Sequence, residues 1–536
     1  MNKELTNFSL IFPNEATQIA HYEGKDKPQI DMYVLEELGL LEIFNLKSSE
    51  LDEYFTTDVD VIKYRMDVFG DMLSCPEIST TLNKLIPILS DIMELRRLEV
   101  DTGDTNTYLE SITEIELYIS SIETLREGLI PIREKLRSRS FTILADRIAE
   151  LADSDYYAEL NSKLTELTSR VREIKSVTIG VNLDAQLRPS SAGVLSINPE
   201  SFKSGDVIEK ILRLNFKDDE YTCIADLVPF GKKQSENQKT ALSLAFNSAI
   251  NEVYKKSLNS WKRIVQSYVL ENTDFLLNLM PEIEFLVKGT DFMRTLMVKG
   301  NELCRPEIAP IDAREFTAYG LYNPAVAMKV DDEIITNDIE FNSDNAHIYV
   351  LTGPNRGGKS VITCAIGISQ AMLQLGMFIP ASKARISIAD AIFTHFPTGA
   401  DDTIDKGRLG EECARLVEIF ESITSRSLVL LDESLSSTGS YEASYIASEV
   451  LAGLSVVGCR TLFSTHLHEL AAEIDAINEK TKEKGGSVID TLVAGIEEGK
   501  RSFKIVRAKP DGKSYARDIA DKYGLSYENI LKMQKK

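Results

Sequence analysis

Apolar positions change their spacing several times along the chain, and each change predicts an element. The sharpest change falls at His347–Ser360. A β-prone run, Ile348, Tyr349, Val350 and Leu351, stops at Thr352-Gly353-Pro354-Asn355-Arg356-Gly357-Gly358-Lys359-Ser360, and helical spacing follows from Val361 to Leu375. Ser427–Leu431, ending in Asp432-Glu433, has the pattern of a buried parallel strand, and Thr461–Thr465, ending in His466, predicts a third strand at the same edge. Upstream the pattern is helical. Asp31–Leu46 predicts one amphipathic helix with Val34, Leu35, Leu38 and Leu41 on one side. Asp58–Arg126 is helical, with Pro76 and Pro87 each predicting a helix start.

Two proline-free spans, Pro131–Pro189 and Pro229–Pro281, carry coiled-coil-like spacing. The first has it at Leu160, Leu164, Leu167, Val171 and Ile174, the second at Leu258, Trp261, Val265 and Tyr268. Between them lie the β-prone segments Val177–Val181, Gly193–Asn198 and Tyr221–Val228. This predicts two long helices forming an antiparallel lever with a small β tip; a helical bundle with one β excursion fits the same periodicity. The expected fold class is α plus α/β: a helical N-terminal core with a lever, then a P-loop domain with a central sheet.

The chemistry is concentrated in the second part. Gly353, four intervening residues, then Gly358-Lys359-Ser360 is the spacing of a phosphate-binding P-loop. Glycines let backbone N–H groups turn toward phosphates, and a helix N-terminus adds partial positive charge. Lys359 would reach the β- and γ-phosphates, Ser360 and Asp432 would hold Mg²⁺, and Glu433 would position the attacking water. His466, at a strand end beside the site, is a candidate sensor of the γ-phosphate.

Composition narrows the classes. The 536 residues allow three or four domains, and no apolar run reaches membrane-span length. Met1–Ala20 lacks the layout of a signal peptide. The six cysteines (Cys75, Cys223, Cys304, Cys364, Cys413, Cys459) are dispersed, which points to a reducing cytosol and away from zinc or a disulfide framework. The net charge of −23 means that any DNA contact needs locally concentrated Lys and Arg. Lys232, Lys233, Lys239, Lys255, Lys256, Lys262 and Arg263 are the candidates, with a solvated helix face as the plainer reading.

Thr352–Ser360 resembles the P-loop of MutS-type DNA mismatch-repair ATPases, TGPNMGGKS, departing at Arg356 alone. The resemblance continues through Phe378-Ile379-Pro380-Ala381, Asp390–Thr394, Ala400-Asp401-Asp402, Ser427–Glu433, Phe463–His466 and Glu469-Leu470. Ile62, Tyr64-Arg65-Met66 and Val68-Phe69 are similar to the start of the family's core domain. Cys304-Arg305-Pro306 and Tyr322-Asn323-Pro324 are similar to the approach to its ATPase domain. Ile334-Ile335-Thr336-Asn337 occupies the place of the adenine-packing segment. The resemblance thus implies nucleotide contacts by Ile334, Ile335, Asn337, Gly353, Pro354, Asn355, Arg356, Gly357, Gly358, Lys359, Ser360 and Val361. Ser176–Leu183 and Ser196–Asn198 resemble the reduced inserts of the branch that carries an Smr nuclease domain; no such domain is expected here. Lys513–Arg517, with the two short helical stretches after it, looks like the helix-turn-helix that pairs MutS ATPase domains.

The resemblance implies an N-terminal segment (1–57), a helical core and lever (58–318) with a clamp insert at about 177–229, an ATPase domain (319–510) and a dimerisation segment (511–536). It further implies a cytoplasmic homodimer that binds ATP and Mg²⁺ and acts as a clamp on DNA in mismatch repair or related repair. Three departures qualify this. The mismatch-reading and connector domains are absent from the pattern, and no Phe-x-Glu wedge occurs. The family's Ser-Thr-Phe-Met segment is replaced by Arg408-Leu409-Gly410-Glu411-Glu412, which makes Arg408 and Gly410 the candidates for reaching a partner's nucleotide. The family's Gly-Arg-Gly-Thr-Ser is replaced by Leu435-Ser436-Ser437-Thr438-Gly439. A remodeller of branched DNA or ribosomes, and an ATP-gated dimerisation module with negligible hydrolysis, stay open as alternatives.

Overall fold

The computed structural model describes residues 8–102, 108–172, 176–186, 189–198, 200, 274–354, 356–397, 408–497, 500–509, 524, 525 and 527–534. They combine helix and sheet in two units. One takes in Cys75–Leu136 and Phe141–Glu284; the other takes in Ser9–Ser74, Arg137–Ser140 and Phe285–Lys536.

The first unit, where described, is helical apart from one β-hairpin. Pro76 opens the helix Pro76–Thr102, at a position where a missing N–H costs nothing. Pro87, expected to start a second helix, lies inside this one. An interior proline costs about 3 kcal/mol. Leu82, Leu85, Leu89 and Ile92 are all buried on the same helix, at about 1.5–3 kcal/mol each, so the packed face wins. The helix Tyr108–Leu129 packs against it.

The long helix expected after Pro131 is two helices, Arg139–Ala152 and Asp155–Arg172. The break is chemical: the Ser154 hydroxyl accepts from Tyr157 N at 3.2 Å, capping the second helix. Leu160 and Leu164 on that helix are buried. A hairpin of β2 (Ser176–Leu183) and β3 (Pro189–Asn198) follows, and the expected segments Val177–Val181 and Gly193–Asn198 fall within it. Ile174, Tyr221–Val228, the basic candidates Lys232 to Arg263, and Leu258, Trp261, Val265 and Tyr268 lie outside the described residues.

The second unit is built on two sheets. Its strands are β1 (Gln29–Ile30), β4 (Glu307–Ala309), β5 (Phe316–Leu321), β6 (Asn337–Phe341), β7 (Ile348–Thr352), β8 (Lys383–Ser387), β9 (Ala391–His395), β10 (Leu428–Asp432), β11 (Arg460–Ser464), β12 (Ile489–Glu497) and β13 (Lys500–Arg507). Seven form one sheet in the order β1-β9-β10-β11-β7-β12-β13, and four form a second in the order β4-β8-β5-β6. Within the larger sheet only the β12–β13 pair is antiparallel. Strands β7, β9, β10 and β11 are buried at every position, as central parallel strands covered on both faces must be.

One face carries Val350, Val429, Leu431 and Phe463 into a core closed by Leu451, Leu454, Leu470 and Ile474 of the helices Ser440–Val457 and His468–Lys482. The P-loop helix Lys359–Gln374 packs on β10 and β11. Because β7, β10 and β11 run parallel, their carboxyl ends meet at one edge, where α/β sheets place ligands. Buried Arg460 ties the two sheets together: its Nη1 donates to Glu315 O, Ser387 O and Gln370 Oε1.

The N-terminal segment is woven into this unit. β1 adds a parallel strand to the free edge of β9. Asp31–Leu46 is two short helices, Met32–Glu37 and Leu40–Phe44, rather than the single one its pattern predicts. Gly39 separates them at φ 66°, a left-handed position that stops the first helix. The described part of 511–536 holds the helix Tyr527–Gln534; Lys513–Arg517 lies outside the described residues.

Candidate functional site

Strand β7 feeds directly into the glycine-rich loop. Gly353 has φ 145°, and a Cβ there would lie 2.6 Å from the Cβ of Ala494 on β12, so only glycine lets the two backbones approach. The loop then curls on itself, with Gly357 N donating to Pro354 O at 3.0 Å, and the helix begins at Lys359. Asn355 and Ala400-Asp401-Asp402 lie outside the described residues.

Lys359 is 4% exposed. Its Nζ donates to Gly353 O at 3.1 Å and Pro354 O at 3.3 Å, and lies 3.3 Å from His466 Nδ1. Burial lowers its pKa, against the opposing pull of Glu433 and Asp432. On the other side of the ring, His466 Nε2 is 2.6 Å from Glu433 Oε1. A neutral imidazole protonated at Nε2 satisfies both contacts, donating to the carboxylate and accepting from the ammonium. Lys359, His466 and Glu433 therefore form one hydrogen-bonded chain contributed by three separate elements.

Asp432 ends β10 and is 4% exposed. Burial raises its pKa, and the neighbouring Ser360 hydroxyl works against that shift. Among the described residues its Oδ1 has no hydrogen-bond partner. A buried carboxylate oxygen left without a donor, beside a hydroxyl at a helix N-terminus, fits a hard divalent cation. Glu433, one residue on, is half-buried and has φ 49°; Leu435 has φ 66°. Both are non-glycine residues in the left-handed region, which costs about 1–2 kcal/mol each.

The other expected nucleotide contacts are spread more widely. Val361 and Ile335 are exposed and Ile334 is half-buried. Asn337 is buried, and its side chain is committed to the backbone of β13: it donates to Phe503 O at 3.2 Å and accepts from Ile505 N at 2.7 Å. Arg408 and Gly410 fall at the start of the helix Arg408–Ser422.

Three residues had no signal in the sequence pattern. Phe503 is 42% exposed at φ 56°, and its ring lies 3.5 Å from where a Gly358 Cβ would stand, at the mouth of the P-loop. Its place within β13 looks like an ordinary strand position. His395 and Ser434 contact each other beside Glu433, yet they are 39 residues apart in sequence.

Among the described residues no helix is long and apolar enough to cross a membrane. Residues 349–530 match the family model of MutS domain V, and residues 57–298 match that of the MutS2 N-terminal domain. The chain is 37% identical over 171 residues to a DNA mismatch repair protein MutS of Roseiflexus castenholzii, covering 31% of this chain and 15% of that protein. It is 26% identical over 365 residues to the DNA mismatch repair protein spellchecker 1 of Drosophila melanogaster, covering 66% of this chain and 38% of that one. The aligned stretches thus span well under half the length of these relatives.

Proposed function

The chain belongs to the MutS family, and we propose that it is a Mg²⁺-dependent ATPase that works as a cytoplasmic homodimer, an ATP-driven clamp on DNA in mismatch repair or related repair. The observation that carries the ATPase reading is the chain Lys359–His466–Glu433 lying beside a buried, half-satisfied Asp432.

The reaction is in-line attack of water on the γ-phosphate, which asks a protein for positioning and charge rather than covalent chemistry. The P-loop backbone and Lys359 take the β- and γ-phosphates, the ammonium exchanging its two loop carbonyls for phosphate oxygens. Ser360 and Asp432 would hold Mg²⁺, which neutralises charge on those oxygens when bound. Glu433 orients the water and takes up its proton. His466 fixes the Glu433 carboxylate and senses the γ-phosphate through Lys359. Phe503 packs against the base, together with Ile334 and Ile335. Arg408 and Gly410 serve the partner's nucleotide across the dimer, and the lever and its hairpin contact DNA phosphates.

Turnover and equilibrium binding of MgATP by the purified chain, with and without duplex DNA, test the reading. Stoichiometric ATP binding with DNA-responsive turnover is the expected result; no binding at saturating MgATP would remove it. A second reading, an ATP-gated dimerisation module with negligible hydrolysis, is favoured by one feature, the replacement of the family's Ser-Thr-Phe-Met segment by Arg408–Glu412. Binding and dimerisation without turnover would select it. Retention on branched DNA or ribosomes in preference to duplex would select the remodeller.

A further inference from the structure

One buried imidazole joins the loop after β10 to the helix Arg408–Ser422. His395 ends β9 and is 2% exposed. Its Nε2 lies 3.2 Å from Glu412 O and its Nδ1 lies 2.8 Å from Ser434 Oγ. Burial, helped by the positive charge of Arg415, pushes the imidazole down to about 4, so at neutral pH the ring has one donor and one acceptor. A carbonyl oxygen can only accept. Nε2 therefore carries the proton toward Glu412 O, and Nδ1 shares the single Ser434 hydroxyl proton with His395 O, 2.9 Å from the same Oγ.

Both ends of this joint matter to the site. Ser434 stands between Glu433 at φ 49° and Leu435 at φ 66°, so its anchorage holds a turn that the backbone does not favour by itself. At the other end, Glu412 lies one turn into the helix that Arg408 and Gly410 open. That helix is fastened to β9 a second time, since Arg415 Nη2 donates to Thr394 O at 2.7 Å. The N-terminal segment backs the second fastening. The Arg415 guanidinium sits 4.2 Å from the ring centroid of Tyr33, and its Nη1 is 2.7 Å from Glu37 Oε1.

We infer that His395 is a positioning residue that locks the loop bearing Glu433 to the helix bearing Arg408 and Gly410, so that the water-orienting carboxylate and the partner-facing element of one chain move together. The inference rests on the ATPase reading for its consequence, while the joint itself is a property of the fold.

The test uses the full chain with His395→Leu, His395→Gln, Ser434→Ala and the double variant His395→Leu/Ser434→Ala. Glutamine can donate to Glu412 O and accept from Ser434; leucine can do neither. His395→Leu is expected to lower kcat by about tenfold or more with KM for ATP within about twofold, and His395→Gln to recover most of that loss. The double variant is expected to be no slower than the slower single one, because both break the same joint. Hydrogen exchange without nucleotide is expected to speed up in residues 408–414 and 433–439 together in His395→Leu, and in neither in His395→Gln.

A kcat within about twofold of wild type, a glutamine variant as slow as the leucine one, or multiplicative losses in the double variant would overturn the inference. If wild type neither binds nor hydrolyses ATP, the ATPase reading fails by itself and exchange alone decides the joint. Faster exchange in both segments then supports it, and in one or neither overturns it. Ser434→Ala, which deletes a single oxygen, carries the same measurements if His395→Leu does not fold.

Discussion

Glu433→Gln removes a charge and keeps a hydrogen bond. The glutamine carbonyl oxygen can stand where Glu433 Oε1 stands, 2.6 Å from His466 Nε2, and still accept its proton. Ser360 and Asp432 are untouched, so MgATP should bind as before. What disappears is the basic carboxylate beside the attacking water. A positioned general base contributes about 10²–10⁴-fold, or about 3–5.5 kcal/mol of barrier. Single-turnover hydrolysis should therefore fall by at least about a hundredfold while the ATP dissociation constant stays within about threefold. Co-purification of ATP with the variant, and a dimer that persists in MgATP, should accompany the slow step. Turnover within about threefold of wild type would show that another group orients the water, and the chain Lys359–His466–Glu433 would lose its catalytic meaning.

The backbone supplies a control on the same residue. Glu433 sits at φ 49°, which costs about 1–2 kcal/mol for a residue with a Cβ. Glu433→Gly relieves that strain but adds about 0.5–1 kcal/mol of unfolded-state entropy. The net change in stability should be within about 1 kcal/mol and not unfavourable, although activity is lost. A variant that is stable and inactive separates the carboxylate's chemistry from any role in holding the fold; a sharply lower Tm would place Glu433 in the scaffold instead.

Lys359→Ala should abolish ATP binding with little change in Tm, since among the described residues the ammonium is held by two loop carbonyls and His466; normal ATP affinity would remove the P-loop assignment. Arg460→Met should destabilise by several kcal/mol, because three buried acceptors lose their donor at about 1 kcal/mol or more each, and a Tm within a few degrees of wild type would contradict the bridging role. Burial alone would raise the Asp26 pKa, but hydrogen bonds from His21 and Thr56 and the charge of His21 hold it below the usual carboxylate range. That stabilisation is present above the unfolded value and lost as pH falls through the folded one, so the Tm gap between wild type and Asp26→Asn should close below about pH 4. In competition binding at one salt concentration, a mismatched duplex should gain less than about 1 kcal/mol over a matched one: phosphate contacts carry no pairing information, and the sequence holds no Phe-x-Glu wedge. A hundredfold preference would mean that residues assigned to scaffold read bases.

What could be read from the sequence was chemistry written in short intervals. Gly353 to Ser360 is a single loop whose glycines, lysine and serine have to be adjacent, so spacing alone announces it. Asp432 and Glu433 end the apolar run Leu428–Leu431, His466 follows the β-prone Thr461–Thr465, and parallel strands with buried faces must bring their carboxyl ends to one edge. Pro87 shows where local rules lose: a breaker worth about 3 kcal/mol yields to four buried side chains that only tertiary packing can supply. Ser154 shows the reverse. A proline-free span hid a helix end because one hydroxyl, which the absence of a breaker does not reveal, caps the next helix.

The harder cases share one cause, which is that their partners are far away in the chain. β1 is two residues long and has no alternation to detect; it is a strand because the edge of β9 offers Gln29 and Ile30 unpaired backbone groups. Once it is docked there, Tyr33 and Glu37 come within reach of Arg415, and Arg415 in turn holds the helix that carries Glu412 against His395. Each of these residues taken singly has an ordinary sequence neighbourhood. Together they make the N-terminal segment part of the frame in which Glu433 is set. Truncating at Asp31 should therefore slow ATP turnover more than it weakens ATP binding, because Lys359 and the P-loop take their shape from β7 and β12 rather than from β1. Equal losses in both would mean that the segment supports the sheet as a whole, with no preferential connection to the carboxylate.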